Sequence, residues 1–158
     1  MRTFLIFILL GIYTQKIYSQ NNLKIITYNI WNGYEWGKDL DRKNKLIAWV
    51  TQQDPDIVAW EELCAYTDEK LNSDAKKIGH TYSFLLKESG YSVGITSKYP
   101  IEIKEKILTG MHHGAIHCQV AGIDLFIVHL SPQSFMKRKS EAAIILNHLE
   151  NIISSNKK

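Results

Sequence analysis

The stretch Pro55–Leu63, PDIVAWEEL, decides how this chain is read. Pro55 closes whatever precedes it, because its ring drives the residue before it out of the helical region. Ile57, Val58 and Trp60 favour extended backbone, so Asp56–Trp60 predicts a short strand. Two carboxylates, Glu61 and Glu62, follow at once. Strand ends running into loops are where side chains that do chemistry are commonly presented.

Working upstream, Lys24–Asn29 (KIITYN) predicts a first strand, and Ile30–Lys38, with two glycines and Trp31, Tyr34 and Trp36, a loop. Asp39 or Asp41 caps a helix that runs to about Gln53, with Leu46, Ile47 and Val50 on one face. Downstream, Tyr66–Ile78 predicts a second helix with Gly79 as its C-cap. Strand-like segments follow at 82–86, 91–96, 102–108, 115–120 and 123–129, with Ser89-Gly90 and Ala121-Gly122 as turns. A last helix spans about Ser134–Ile153, with Ala142, Ile145, Leu146 and Leu149 on its apolar stripe. Ile123–His129 (IDLFIVH) is apolar on both faces and predicts a strand covered on both sides. The fold class is α/β (α+β): one mixed, mostly antiparallel sheet with the three helices on one face. The other face is then open, which predicts a large exposed apolar patch and self-association.

The 158 residues, 45% hydrophobic and 22% charged, fit one domain with a sizeable core. Residues 1–19 read as a secretory signal: Arg2, the apolar run Phe4–Tyr13, then Ser19 as the small residue before cleavage. The run is short for a membrane span, and an uncleaved anchor is the alternative. The expectation is a secreted or periplasmic protein of residues 20–158 with no stable membrane anchor. The formal charge of +3 falls to +1 when Arg2 and Lys16 leave with the signal. Nucleic acid is therefore a possible partner that charge does not indicate. Cys64 and Cys118 suit small buried residues; two cysteines at this spacing build neither a disulfide framework nor a zinc site.

Three residues stand at strand ends with complementary chemistry: Asn29, Glu62 and His129. A Glu carboxylate is a hard oxygen ligand for Mg²⁺ or another hard divalent cation such as Mn²⁺ or Ca²⁺. An Asn amide orients that carboxylate or holds a phosphate oxygen. A His donates to phosphate and, when protonated, stabilises charge developing in the transition state. Together they suit metal-assisted hydrolysis of a phosphate ester. Each alone also has a bland reading: a turn former, a solvated charge, a structural imidazole. The aromatics Trp31–Trp36 either pack their loop or offer a stacking platform for a substrate ring or lipid head group, Trp31 among them. Lys137, Arg138 and Lys139 are a solvated helix start or a weak attractive field for phosphate.

Four ordered segments resemble the endonuclease/exonuclease/phosphatase family, which has the deoxyribonuclease-I-like fold: LKIITYNIWNG (23–33), PDIVAWEEL (55–63), GYSVGITSKYPI (90–101) and IDLFIVHL (123–130) with Arg138. The resemblance implies the N-terminal half of a four-layer α/β/β/α sandwich. It also implies a phosphodiester or phosphomonoester hydrolase using Mg²⁺, with Glu62 and Asn29 at the metal and His129 at the scissile phosphate. Asn29 and His129 are then its catalytic residues. Two positions depart from the pattern. Glu61 replaces the usual Gln, and His112-His113-Gly114 stands where members often carry Arg. His113 takes over that phosphate contact as a titratable donor, or the pair is surface polar filler. The family continues into Gly-Asp-Phe-Asn and Ser-Asp-His motifs, and this sequence ends at Lys158 without them. The expectation is a fragment, an inactive remnant or binding module, or a chain completed by a C-terminal half carried elsewhere. Family substrates include nucleic acids, inositol phosphates, sphingomyelin-type lipids and small phosphomonoesters.

Overall fold

The computed structural model describes residues 22–155; the expected signal segment, residues 1–19, lies outside them. The elements in order are β1 (Ile25–Asn29), α1 (Trp31–Gly37), α2 (Leu40–Gln53), β2 (Ile57–Glu61), α3 (Asp68–Lys77), β3 (Tyr82–Leu85), β4 (Gly94–Ser97), β5 (Ile101–Ile107), β6 (Ala115–Val120), β7 (Ile123–Val128) and α4 (Phe135–Ser155).

The strands do not form the single sheet expected from sequence. They divide into a four-stranded sheet, β1-β2-β4-β3, and a three-stranded sheet, β5-β6-β7. Only the β1–β2 pair is parallel. The reason lies in β2, where alternate side chains are apolar in both directions. Val58 and Trp60 face one core with Leu46, Val50, Leu71 and Ile78 from α2 and α3. Ile57 and Ala59 face the other way, and with Ile95 they meet Ile116, Cys118, Val120 and Ile127. A sheet with both faces apolar needs a second layer, and β5–β7 supply it.

The second sheet alternates likewise. Leu125 and Ile127 of β7 point into the core between the sheets, while Phe126 and Val128 point outward to Ile144 and Ile145 of α4. Helices thus lie on both outer sides, not on one. This corrects the expected patch: most of the open sheet face is covered. Exposed apolar side chains persist at Ile25 on the edge strand β1 and at Leu146, Leu149 and Ile153 on α4. β1 and β7 are both edge strands, and a cleft of about 240 Å³ between them is lined by Ile25, Thr27, Ala59, Leu125 and Ile127.

Local signals explain the helices. Asp39 caps α2 by accepting from Arg42 N at 3.0 Å, and Asp54, in the left-handed region, ends it before Pro55. Thr67 caps α3, with Asp68 and Glu69 in the first turn and Lys76 and Lys77 in the last, matching the helix dipole. The buried Asp74 of α3 accepts from Lys43 at 2.6 Å, Lys77 at 2.9 Å and Tyr66 at 2.9 Å. Burial works against its charge, but these donors hold its carboxyl below the usual range. Cys64 and Cys118 are free and fully buried, and burial pushes both thiols up to about 11.

The segment after β1, expected as an irregular loop, is a left-handed helical turn. Trp31 to Trp36 all have φ between +51° and +59°. Each non-glycine residue there costs about 1–2 kcal/mol, so the surroundings must fix the turn. Arg42 does much of this, bonding the carbonyls of Ile30 at 3.3 Å and Trp31 at 3.2 Å while pairing with Asp39. Tyr34 is buried beneath it, and the glycine at 33 is obligatory: a Cβ there would lie 2.1 Å from the Cys64 carbonyl oxygen.

Candidate active site

Parallel pairing of β1 with β2 sets Asn29 beside Glu61 at the same end of the sheet. Glu62, just past the strand, has φ +60°, which turns its side chain back toward β1. Its Oε1 accepts from Asn29 Nδ2 at 2.9 Å and its Oε2 from Asn32 N at 2.7 Å. Asn29 Oδ1 is itself occupied by Trp31 N at 2.9 Å. Asn29 thus orients the Glu62 carboxylate through Nδ2, one of the roles expected for it, while its Oδ1 accepts from the backbone. The strained turn now has a purpose, because it delivers the Asn32 amide to Glu62.

His129, leaving β7 in the other sheet, meets these residues. Its Nδ1 lies 2.9 Å from Glu61 Oε2 and its Nε2 lies 3.5 Å from Glu62 Oε1. Thr27 Oγ1 donates to the other oxygen of Glu61 at 3.3 Å. The structure thus brings Asn29, Glu62 and His129 together from two sheets, which their spacing in sequence could not show.

His113 is not surface filler. It is 5% exposed and stacks on His129 with ring centroids 4.7 Å apart. The Tyr91 ring is tilted against it at 5.5 Å, and His112 packs edge-on at 4.4 Å. Burial, then the neighbouring His129 and His112, push His113 from its ordinary 6.5 down to about 4. Its ring is therefore neutral near pH 7. Among the described residues, His113 Nε2 is the one buried side-chain nitrogen or oxygen without a hydrogen-bond partner. The His113 residue borders a pocket of about 350 Å³, whose wall also includes Trp31, Asn32, Glu62, Tyr91, His129 and Pro132. An unpaired buried polar atom in a residue that lines such a space leaves a hydrogen-bonding group to be satisfied.

Trp31 is 63% exposed at the rim of the pocket, whereas Tyr34 is buried in the core, so part of the aromatic segment packs its own loop. The basic run is partly structural: Lys137 donates to Gly110 O at 2.8 Å and Arg138 to Ser131 O at 3.3 Å. Sequence reasoning missed Glu61 as a partner of His129, and Glu141, whose buried carboxylate accepts from His112 N and Ser131 N. In sequence Glu61 is only a departure from a pattern, and Glu141 lies on a helix whose periodic signal is its apolar stripe.

The metal requirement can be weighed on this donor set. Among the described residues no group of three or more His, Cys, Asp or Glu side chains forms a cage. One hard carboxylate held by two donors at an open pocket fits Mg²⁺, which keeps several waters and binds through one or two carboxylates plus substrate phosphate.

The model of the endonuclease/exonuclease/phosphatase family matches residues 26–151, most of the chain. The chain belongs to the endonuclease/exonuclease/phosphatase family. No curated protein is significantly similar to it in sequence. Among solved structures, this family member is similar to D. rerio TDP2 complexed with a single-strand DNA product, with a TM-score of 0.60 at 18% identity over 81% of this chain and 54% of that one. It is also similar to TDP2 from C. elegans, with a TM-score of 0.61 at 14% identity over 84% of this chain and 44% of that one. These likenesses show the fold. The chain spans about half the length of those relatives.

Proposed function

We propose that this chain carries the carboxylate-and-histidine part of a metal-dependent phosphoester hydrolase, acting on a phosphodiester or phosphomonoester. The observation that carries this reading is the juxtaposition of Glu62 and His129, 3.5 Å apart, beside the unpartnered Nε2 of His113 on one pocket.

Glu62 would hold the divalent cation through its hard oxygens, with Asn29 Nδ2 and Asn32 N fixing their direction. A cation bound there supplies polarisation of a phosphoryl oxygen and neutralises charge that grows on it. His129, anchored through Nδ1 to Glu61, presents Nε2 to the scissile phosphate, and in protonated form it donates there. His113, neutral and buried, donates Nε2–H to a second phosphate oxygen in that tautomer. It replaces a guanidinium with a weaker donor that leaves less positive charge in the pocket. Trp31 at the rim stacks on a ring or head group of the substrate.

The reading extends to the rest of the protein. We place the chain as exported, with residues 1–19 as the signal. N-terminal sequencing of secreted material, with Gln20 first, checks export.

Turnover of bis(p-nitrophenyl) phosphate tests the function. Mg²⁺-dependent hydrolysis, lost with chelator and in His129→Ala, is the expected result. Hydrolysis that persists in both Glu62→Ala and His129→Ala assigns the activity elsewhere. Binding of a partner that survives Glu62→Ala, with no turnover, favours a binding module.

A further inference from the structure

Glu141 is the most deeply buried acidic side chain of the described chain, at 0% exposed, and it lies outside the pocket. It sits in the second turn of α4, yet neither of its oxygens takes a hydrogen bond from within that helix. Oε1 accepts from His112 N at 2.6 Å, and Oε2 accepts from Ser131 N at 2.7 Å. The first amide belongs to the connection between β5 and β6, and the second follows β7. One carboxylate thus ties together two segments 19 residues apart, at points one residue from His113 and two from His129. Those two rings are the stacked pair on the pocket wall.

We infer that Glu141 is a positioning residue that sets the spacing of His113 and His129; this rests on the reading of the pocket given under Proposed function. A buried carboxylate is costly unless its oxygens are satisfied, so a residue serving only to pack α4 would be apolar, like Ile144 and Ile145. What a carboxylate alone supplies is two acceptors and no donor, matched to two N–H groups arriving from different segments. Bonds to such an acceptor are about twice as strong as neutral ones. Lys137 completes the arrangement, with Nζ 3.9 Å from Oε1 while it donates to Gly110 O. Arg138 holds the carbonyl of Ser131, so both sides of that peptide segment are fixed from α4.

Glu141→Gln keeps the shape and one acceptor but turns an NH₂ group toward the second amide, so one arm of the clamp opens. Ile144→Ala removes apolar packing from the same helix and leaves the clamp intact, so it controls for destabilisation. In the unaltered protein the His112 and Ser131 amide protons should resonate far downfield, and the ring protons of His113 and His129 should show mutual stacking shifts. In Glu141→Gln one amide moves upfield and the stacking shifts collapse. A misplacement of about 1 Å lowers kcat for bis(p-nitrophenyl) phosphate about 100-fold with KM little changed. Ile144→Ala lowers the melting temperature but keeps the stacking shifts and kcat. Stacking shifts and kcat retained in Glu141→Gln, or lost equally in Ile144→Ala, overturn the inference. If the unaltered protein shows no turnover with metal, the hydrolase reading fails, and the imidazole resonances still decide whether Glu141 sets the ring pair.

Discussion

Glu61 Oε2 lies 2.9 Å from His129 Nδ1, so the residue that departs from the family's usual Gln is the one that orients the histidine at the pocket. An amide oxygen accepts the same Nδ1–H without a charge. Glu61→Gln should therefore keep the ring in place and retain turnover within about tenfold, while Glu61→Ala frees the ring and costs about 100-fold, the scale of losing a group that orients another. Steady-state phosphodiester hydrolysis with Mg²⁺ checks the order of the two variants. Equal losses in both show that the charge, and not the anchor, matters.

Gly33 makes the second prediction. Its φ of +59° and the 2.1 Å approach of a built Cβ to Cys64 O leave no room for a side chain. Gly33→Ala should cost about 3 kcal/mol or more, beyond what an ordinary surface change costs. It should also loosen the Asn32 amide from Glu62. Urea unfolding of Gly33→Ala beside Gly37→Ala, where no atom lies within 4 Å, gives the comparison. Equal losses at the two positions contradict the account.

The depressed His113 makes stability depend on pH in one direction. The unfolded ring takes up a proton near 6.5, and the folded one only near 4. Its contribution is therefore complete above 6.5 and is lost as pH falls from 6.5 toward 4. Burial holds His80 below its ordinary value too, which adds in the same direction. Chemical denaturation at pH 7, 6 and 5 should show falling stability, and His113→Phe should flatten the slope without abolishing it. A slope unchanged in His113→Phe refutes the neutral, buried ring.

Much of the fold was legible because the signals were local. Capping at Asp39, the stop at Pro55 and the two-faced apolar pattern of β7 each needed only neighbouring residues. What escaped was set by contacts distant in sequence. Strand count could not say that β5 begins a new sheet, since that followed from the second apolar face of β2 needing a cover. The left-handed turn at 31–36 was hidden because Arg42 and Cys64 enforce it from other elements. The same division holds at the site: Glu62 and His129 stood out by chemistry and resemblance, while their approach through Glu61, the burial of His113 and the clamp at Glu141 exist only once two sheets and α4 are assembled.

The central claim is that Glu62 and His129 form one site for a cation and a phosphate. Phosphorus-31 relaxation of dimethyl phosphate in the presence of Mn²⁺ and the protein tests this without requiring turnover. The account predicts strong relaxation with the unaltered chain, loss of Mn²⁺ binding and relaxation together in Glu62→Gln, and Mn²⁺ binding with weakened relaxation in His129→Ala. Relaxation that is as strong in Glu62→Gln as in the unaltered protein contradicts it.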